Sequence, residues 1–577
     1  MKTNRKKFRI IVGIYILILM NIAGTSNCAI IAKKDNTSSS LAPKISIEIK
    51  SLQQKYLDSM RGELEFPKGL FGGLKIQEEK RQGWVVPKFY DLSQSLDKWE
   101  QIRNAFQQAS SGEVNISPLL QIISREEMDY LVKGTLQRGK ALVRFLQDIY
   151  AGNWEVVRDG IVPESVVRKA LRTQGYEQLV GKLSQEQIMI TYGPDLSYHN
   201  GYVIEDNIGS LGGREFIVTL QRELLKIFPN APLFDYELLV KRYEEGLKSI
   251  LPSEDTIVSY WDDPVFKESR AFKIDSWRQN EKGIVYVDSA NDQARHFEVS
   301  EGNGLFVVSP EGTREKVGLL DYNEYDLSLD PDYPIFAQRM RELGLNKVSE
   351  GIPGIMSLVL NNKIVLGHHP GSSLADSKLI YPFVEKFIRY YLKEEPIFKT
   401  TKTFALTDKY GMQEYTYEEA IRDKENLVLK PIMGKAGEGV VVGKFTSEEK
   451  WKKQLKEAFN CPEDFLLFEF VELMQIRDRI MVHRIIAKIS PELKTVVYPG
   501  VYVREKSVQG DGVIWSSESI TSGMMALVEG VSGKDIYPED VSIPATTVKK
   551  LEIIDIDPTV LPLMQSRGRE IIFQESI

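Results

Sequence analysis

A chain of 577 residues is too long for a single hydrophobic core, so roughly three to four structural units are expected. With 42% hydrophobic and 27% charged residues it reads as globular, neither disordered nor fibrous, and a net charge of -7 with no long basic block argues against a nucleic-acid partner. Two cysteines, Cys28 and Cys461, are too few for a disulfide framework or a cysteine metal cluster.

The N-terminus opens on the basic stretch KTNRKKFR, followed by an apolar run from Ile10 to Ala23 and the small residues GTSNCA. Residues 1–29 therefore read as a signal peptide or N-terminal anchor. The run is shorter than the roughly 20 residues of a comfortable span, which favours cleavage over a membrane tether through residues 8–23. Either way the expected location is exported or membrane-anchored. Residues 30–84 read as a linker and N-terminal extension.

Ser124 and Glu127 form a capping box ahead of a helical period through Met128, Leu131, Leu142, Phe145, Leu146 and Ile149, which stops at Gly152 and Asn153. Further helix is expected over 161–190, so 85–190 reads as a helical lead-in region. From residue 187 the period shortens to that of strands, IMITYGPDL and then GYVIEDN, with a turn at His199 to Gly201. Side chains alternate along a strand, so Glu205 and Asn207 share a face, and Asp195 on the preceding strand can reach it. Such oxygens suit magnesium; the plain alternative is a solvated acidic turn.

A helix is expected from Leu211 to Pro229, short strands over 282–320, and an aromatic-rich helix packed in the core from Ile380 to Lys393. The stretch LVLKPIMGKAGEGVVVG then sets Lys430 at the end of an apolar run before a glycine-studded loop. It is no Walker A loop, because Glu438 stands where the first glycine belongs, and Val442 denies it a GxGxxG pattern. Strands over Asn426 to Ile432 and Val440 to Phe445 would make a hairpin able to lie over phosphate; a structural hairpin with a surface lysine is the alternative. A charged surface helix is expected over 447–458, and strands of one more sheet from 465 onward. Adjacent His368 and His369 are poor co-ligands, and His199, His296 and His483 are isolated.

On these residues the chain resembles the circularly permuted ATP-grasp type 2 family. GPDL and EDN are similar to its metal-binding stretch. PGSSLADSKLIYPFVEKFIRYYLKEEPIF is similar to its central segment, LVLKPIMGKAGEGV to its phosphate-loop strand, and FLLFEFVEL to its adenine-side hinge. The resemblance covers about residues 85 to 530. Glu205 precedes Lys430, the reverse of an ordinary ATP-grasp chain and the order a permuted one has.

The resemblance implies an α+β, ATP-grasp-like fold in circularly permuted order behind a helical N-terminal lead-in. Residues 191–400 would hold the metal motif and a central substrate-side region, 401–545 the nucleotide-binding part, and 546–577 a C-terminal tail. It implies that Asp195, Glu205 and Asn207 hold Mg2+ on ATP, and that Lys430 and Arg504 act in catalysis. Lys430, Gly434, Lys435, Gly437, Gly439 and Glu469 would bind the nucleotide, while Asp376 and Lys378 match a central Asp-x-Lys pattern on the substrate side. The implied activity is an ATP-dependent carboxylate-amine ligase that passes through an acyl phosphate, its partners a small-molecule or peptide carboxylate and an amine.

Some positions depart from the family. Tyr322 and Asn323 replace a pair of arginines, Phe468 replaces the glutamine of the hinge, and Trp515 stands for an asparagine in a late motif. A different substrate, or a catalytically inactive ATP-grasp module that binds nucleotide or tethers a partner at a membrane, would also fit those changes.

Overall fold

The computed structural model describes residues 77–78, 88–109, most of 116–208, scattered residues of 211–249, 256–261, 285–288, most of 296–322, 330, 333, 351–433 and, with short breaks, 437–526. The signal-like segment 1–29, the linker before residue 77, the capping Ser124, the turn at His199, Gly434 and Lys435 of the glycine loop, Asn323, Trp515 and the tail lie outside the described residues, as does most of the helix expected from Leu211. Among the described residues no helix is long and apolar enough to cross a membrane.

The long amphipathic segment forms the 26-residue helix Arg125–Tyr150. It is buried on almost every side, with Ala141, Leu142, Val143, Phe145, Leu146 and Ile149 all at 0% exposure, so it is the axis of the largest core rather than a surface helix. Gly139 allows this closeness: a Cβ there would stand 2.3 Å from Ile489 Cδ1 and 2.8 Å from Tyr192 Cδ1. The helix ends before Gly152, whose φ of 78° no branched side chain would accept. Beyond it the expected helix over 161–190 is only partly realised. It runs from Glu164 to Gln174 and gives way to 3-10 turns at Glu177–Leu179 and Gln185–Gln187.

The lead-in is not wholly helical. Lys88–Asp91 and Leu119–Ile123 are strands of a four-stranded sheet whose far edge is Met524–Ala526, parallel to Leu119–Ile123. The apolar run LLQII finds its partner from the other end of the chain, a long-range pairing that no local pattern reports. The aromatic segment after Ile380 is likewise not one regular helix. A 3-10 turn at Tyr381–Phe383, a helical turn at Val384–Phe387 and a π turn at Ile388–Leu392 follow one another. Its expected core role holds: Phe387 stacks on Phe145 at 4.6 Å between ring centres.

Strands over 285–322 occur as expected, in a sheet ordered Val285–Asp288, Thr256–Trp261, Arg314–Tyr322, Gly304–Val308, His296–Ser300. The strands after 465 do not form one sheet but enter four, one of them the sheet that Met524–Ala526 completes. Phe465–Glu469 joins a four-stranded sheet with Thr403–Ala405, Leu427–Pro431 and Val441–Val442. Arg479–Arg484 and Tyr502–Ser507 lie in a seven-stranded sheet beside Asp195–Ser197 and Tyr202–Glu205, while Ala487–Ile489 pairs with Ile190–Tyr192 in a three-stranded sheet.

The expected hairpin around the glycine loop is present, with Val428 opposite Val442 and Leu429 opposite Val441, but its return strand is only Val441–Val442, and Gly443–Phe445 is a 3-10 turn rather than strand. Its alternation is strict in effect. Leu427 and Leu429 pack with Trp451 and Leu455 of the helix Glu448–Asn460, whereas Val428 joins the main core. Lys430 is therefore turned toward the molecule's centre. Trp451 is fully buried and its indole N–H donates to Ala420 O at 3.0 Å, so Trp451→Ala should cost about 3–5 kcal/mol in chemical denaturation. A midpoint equal to that of the parent protein would contradict this packing.

Candidate active site

The acidic hairpin has the face-sharing that period-two alternation requires. Asp195 and Glu205 are direct partners across the antiparallel pair Asp195–Ser197 and Tyr202–Glu205, with a register irregularity between Asp195 and Leu196. Opposed residues project to one side of a sheet. Past the strand's end the pairing continues through Gly193 N–H donating to Asn207 O at 2.9 Å, so alternation carries Asn207 to the Glu205 side. Asp206 between them turns the other way and is held by Arg138.

Asp195 is buried and fully engaged. Arg484 donates to its Oδ1 from Nε at 2.9 Å and Nη2 at 2.7 Å, and Arg504 Nη2 donates to its Oδ2 at 2.6 Å. The register explains this meeting: His483 pairs with Leu196, which sets Arg484 beside Asp195, and Val482 pairs with Arg504. Burial pushes the Asp195 carboxyl up, but Arg484 and Arg504 outweigh it and hold the group below the usual carboxylate range. Arg504 was expected here. Arg484 was not, although an arginine closing the apolar strand RIMVHR had to find a buried anion, and that was its only signal.

Two lysines meet Glu205. Lys378 Nζ lies 3.2 Å from Glu205 Oε1, and Lys430 Nζ donates to the neighbouring Ile204 O at 3.2 Å while standing 4.5 Å from the centre of the Phe468 ring. Burial lowers the Lys430 pKa to about 8; Glu205 opposes that shift, and Lys378 adds to it. Burial also pushes the Glu205 carboxyl up, yet Lys378 and Lys430 together keep it below its ordinary value. Asp376 ends the 3-10 helix Ser372–Asp376, whose exit delivers Lys378 to the site.

Around this centre, Gly437 and Gly439 take φ of 87° and 70°, left-handed conformations that glycine alone adopts cheaply at the loop's return. Glu469 ends the strand beside Lys430's strand. Its N–H is given to Lys402 O at 2.8 Å, and Phe470 N–H to Asn426 O at 2.7 Å, so these two amides hold the sheet together at the hinge.

The donor set fits a hard divalent cation. Glu205 and Asn207 supply oxygens from adjacent alternate positions, and the Asn207 amide nitrogen is buried with no hydrogen-bond partner, so the carboxamide is oriented without a protein group to satisfy it. Among the described residues no three Asp, Glu, His or Cys side chains form a metal cluster. Lys378, Lys430, Arg484 and Arg504 stand against two carboxylates, Asp195 and Glu205. The cluster has positive charge to spare for an anionic ligand.

Because its folded-state pKa is depressed, Asp195 contributes stability that is complete above its unfolded pKa of about 4 and is lost as pH falls through the lower folded value. Asp195→Asn should cost about 3–5 kcal/mol at neutral pH by leaving two buried guanidinium groups short of an anion. The same change should flatten the acid limb of the stability–pH profile. Urea denaturation between pH 2 and 7 reads both effects, and an unaltered acid limb would remove Asp195 from this account.

Residues 338–504 match the model of the family circularly permuted ATP-grasp type 2, and residues 120–264 that of a second family, a circularly permuted ATP-grasp. An uncharacterised protein of Mycobacterium tuberculosis is 26% identical over 417 residues, covering 69% of this chain and 70% of its own length. An uncharacterised protein of Synechocystis is 26% identical over 376 residues, 63% of this chain and 72% of its own. A protein of Frankia casuarinae named as a candidate glutamate–cysteine ligase is 24% identical over 373 residues, which is 61% of this chain and 39% of that protein. The two family matches fall on the acidic hairpin and on the stretch from the central segment through Arg504, so over these segments the chain is similar to circularly permuted ATP-grasp proteins, and the relatives named as ligases support an ATP-dependent ligase in general.

Proposed function

We propose that this chain joins a carboxylate to an amine at the expense of ATP, forming an amide or peptide bond through an acyl phosphate. The observation that carries the reading is the cluster of four cations converging on Glu205 and Asp195, beside Asn207, with Lys430 on the strand that leads into the glycine loop. No nucleophilic side chain is needed. An oxygen of the substrate carboxylate attacks the γ-phosphorus and ADP leaves with the bond electrons; the amine nitrogen then attacks the acyl carbon, phosphate leaves, and the nitrogen loses a proton.

The protein's part is to position the reactants and neutralise charge. Glu205 and Asn207 would hold magnesium, with Asp195 beside them, and the bound ion would draw charge from the phosphate oxygens. Lys430 and Lys378 would contact the phosphates, exchanging Glu205 for a more highly charged partner. Arg504, together with Arg484, would face the transferred phosphoryl group. Gly434 to Gly439, Lys435 among them, would close over the phosphates, and the hinge at Glu469 would border the adenine. The candidate glutamate–cysteine ligases among the relatives support an amino-acid or peptide carboxylate as the acid.

A second reading, a nucleotide-binding module without turnover, draws on Asp195, whose two oxygens are both taken by arginines. ADP release that depends on adding an acid and an amine separates the two. A screen of amino acids and short peptides with bound nucleotide but no acceptor-dependent ADP would favour the module.

Mg-ATP at about a hundred times its dissociation constant should stabilise the protein by roughly 2.7 kcal/mol, seen as a raised melting temperature that needs magnesium and is smaller in Lys430→Met at the same ligand concentration. No shift in a well-folded protein would sink the nucleotide reading. The lysine also sets a pH dependence: with its free-protein pKa at about 8, phosphate binding above that pH must first protonate it. Mg-ATP affinity should therefore fall as pH rises past 8 in the parent protein and stay flat over that range in Lys430→Met; parallel slopes in calorimetric titrations would disprove the assignment.

A further inference from the structure

Asp206, the residue between the two oxygen donors, faces away from them. It is 2% exposed, and its carboxylate accepts three hydrogen bonds: from Arg138 Nε at 2.7 Å, Arg138 Nη2 at 2.8 Å and the Tyr192 hydroxyl at 2.6 Å. Arg138 is fully buried, gives Nη1 to Thr400 Oγ1 at 2.9 Å, and lies 5.3 Å from the centre of the Tyr381 ring. The Tyr381 hydroxyl in turn donates to Val203 O and meets Thr401 Oγ1 at 2.8 Å. The metal strand is thus gripped at Val203 and at Asp206, on both sides of Glu205.

Stability alone is a poor reason for this arrangement. Removing two charges from water costs much of what their attraction returns, and well-packed apolar residues in the place of a buried pair are often as stable or more so. What apolar packing lacks is direction. A guanidinium fork fixes the plane of the carboxylate it binds, and the Tyr192 hydroxyl fixes it from a second side. With its side chain held so, Asp206 has little freedom to rotate, and the backbone that aims Glu205 and Asn207 is held with it. The local use of Asp206's charge also removes it as a competing ligand.

We propose that Arg138, Asp206 and Tyr192 are positioning residues that hold Glu205 and Asn207 ready to meet one divalent cation. The inference rests on the reading of Glu205 and Asn207 as magnesium ligands, and the measurement keeps the two apart. On the full-length protein, binding of a non-hydrolysable ATP analogue is titrated against magnesium, and the analogue's affinity without metal is measured separately. In the double variant Arg138→Met, Asp206→Leu the magnesium concentration for half-saturation should rise about tenfold, the lower end of what losing an outer support of a metal site costs. The metal-free affinity should not change, which distinguishes misaligned ligands from a generally loosened fold. Tyr192→Phe, which deletes one hydroxyl and keeps the ring, should move half-saturation in the same direction by about two- to threefold. A folded double variant with the parent's half-saturation overturns the positioning role; if the double variant does not fold, an unchanged half-saturation in Tyr192→Phe does so instead. A parent protein whose nucleotide binding ignores magnesium overturns the ligand reading and the positioning role together, whereas magnesium dependence that survives both variants overturns the positioning role alone.

Discussion

The site depends on the buried carboxylate of Asp195 and the two guanidinium groups that share it. Three groups that each pay heavily for leaving water are tolerable together because three short hydrogen bonds join them. That junction ties the acidic hairpin to the strands Arg479–Arg484 and Tyr502–Ser507, so the seven-stranded sheet is cross-linked by charge on the face that carries Glu205. One carboxylate fixes two arginines at the edge of the proposed phosphoryl site. An arginine held by a partner before substrate arrives loses little freedom when it meets phosphate.

Burial and charge work against each other at Lys430. The strand that carries it is apolar on both faces, and its outer residues pack under the helix Glu448–Asn460, so the ammonium is delivered into a core. Glu205 and the face of Phe468 make that location tolerable without fully repaying the lost hydration, which is why the pKa falls to about 8 rather than remaining at the lysine value. A desolvated cation of this kind interacts strongly with any anion that reaches it. The Glu205–Lys378 contact completes the balance on the other side.

The acidic hairpin comes from residues near 200, the lysine hairpin from near 430 and the arginine strands from 479 to 507, and all contribute side chains to the core that encloses the helix Arg125–Tyr150. The chain's order is thus independent of the site's geometry. The pairing of Met524–Ala526 with Leu119–Ile123 makes the same point away from the site, since a strand near the end of the described chain completes a sheet begun near its start.

The sequence by itself determined what depends on neighbours within a few residues. Alternation put Glu205 and Asn207 on one face, the apolar run ending in Lys430 marked a strand, and the glycines after it marked a loop whose backbone turns sharply or comes close to a ligand. The helix ending before Gly152 was legible for the same reason. Tertiary structure alone decided which charges meet. Arg484 reaches Asp195 across 289 positions and Lys430 reaches Ile204 across 226, and a one-residue slip in either register would turn those side chains to the opposite face. It likewise decided that strands expected in one sheet divide among four, because strand propensity reports that a segment will pair and carries nothing about its partner. Local periodicity is written in the order of residues, whereas register between distant strands is settled only when the whole core closes.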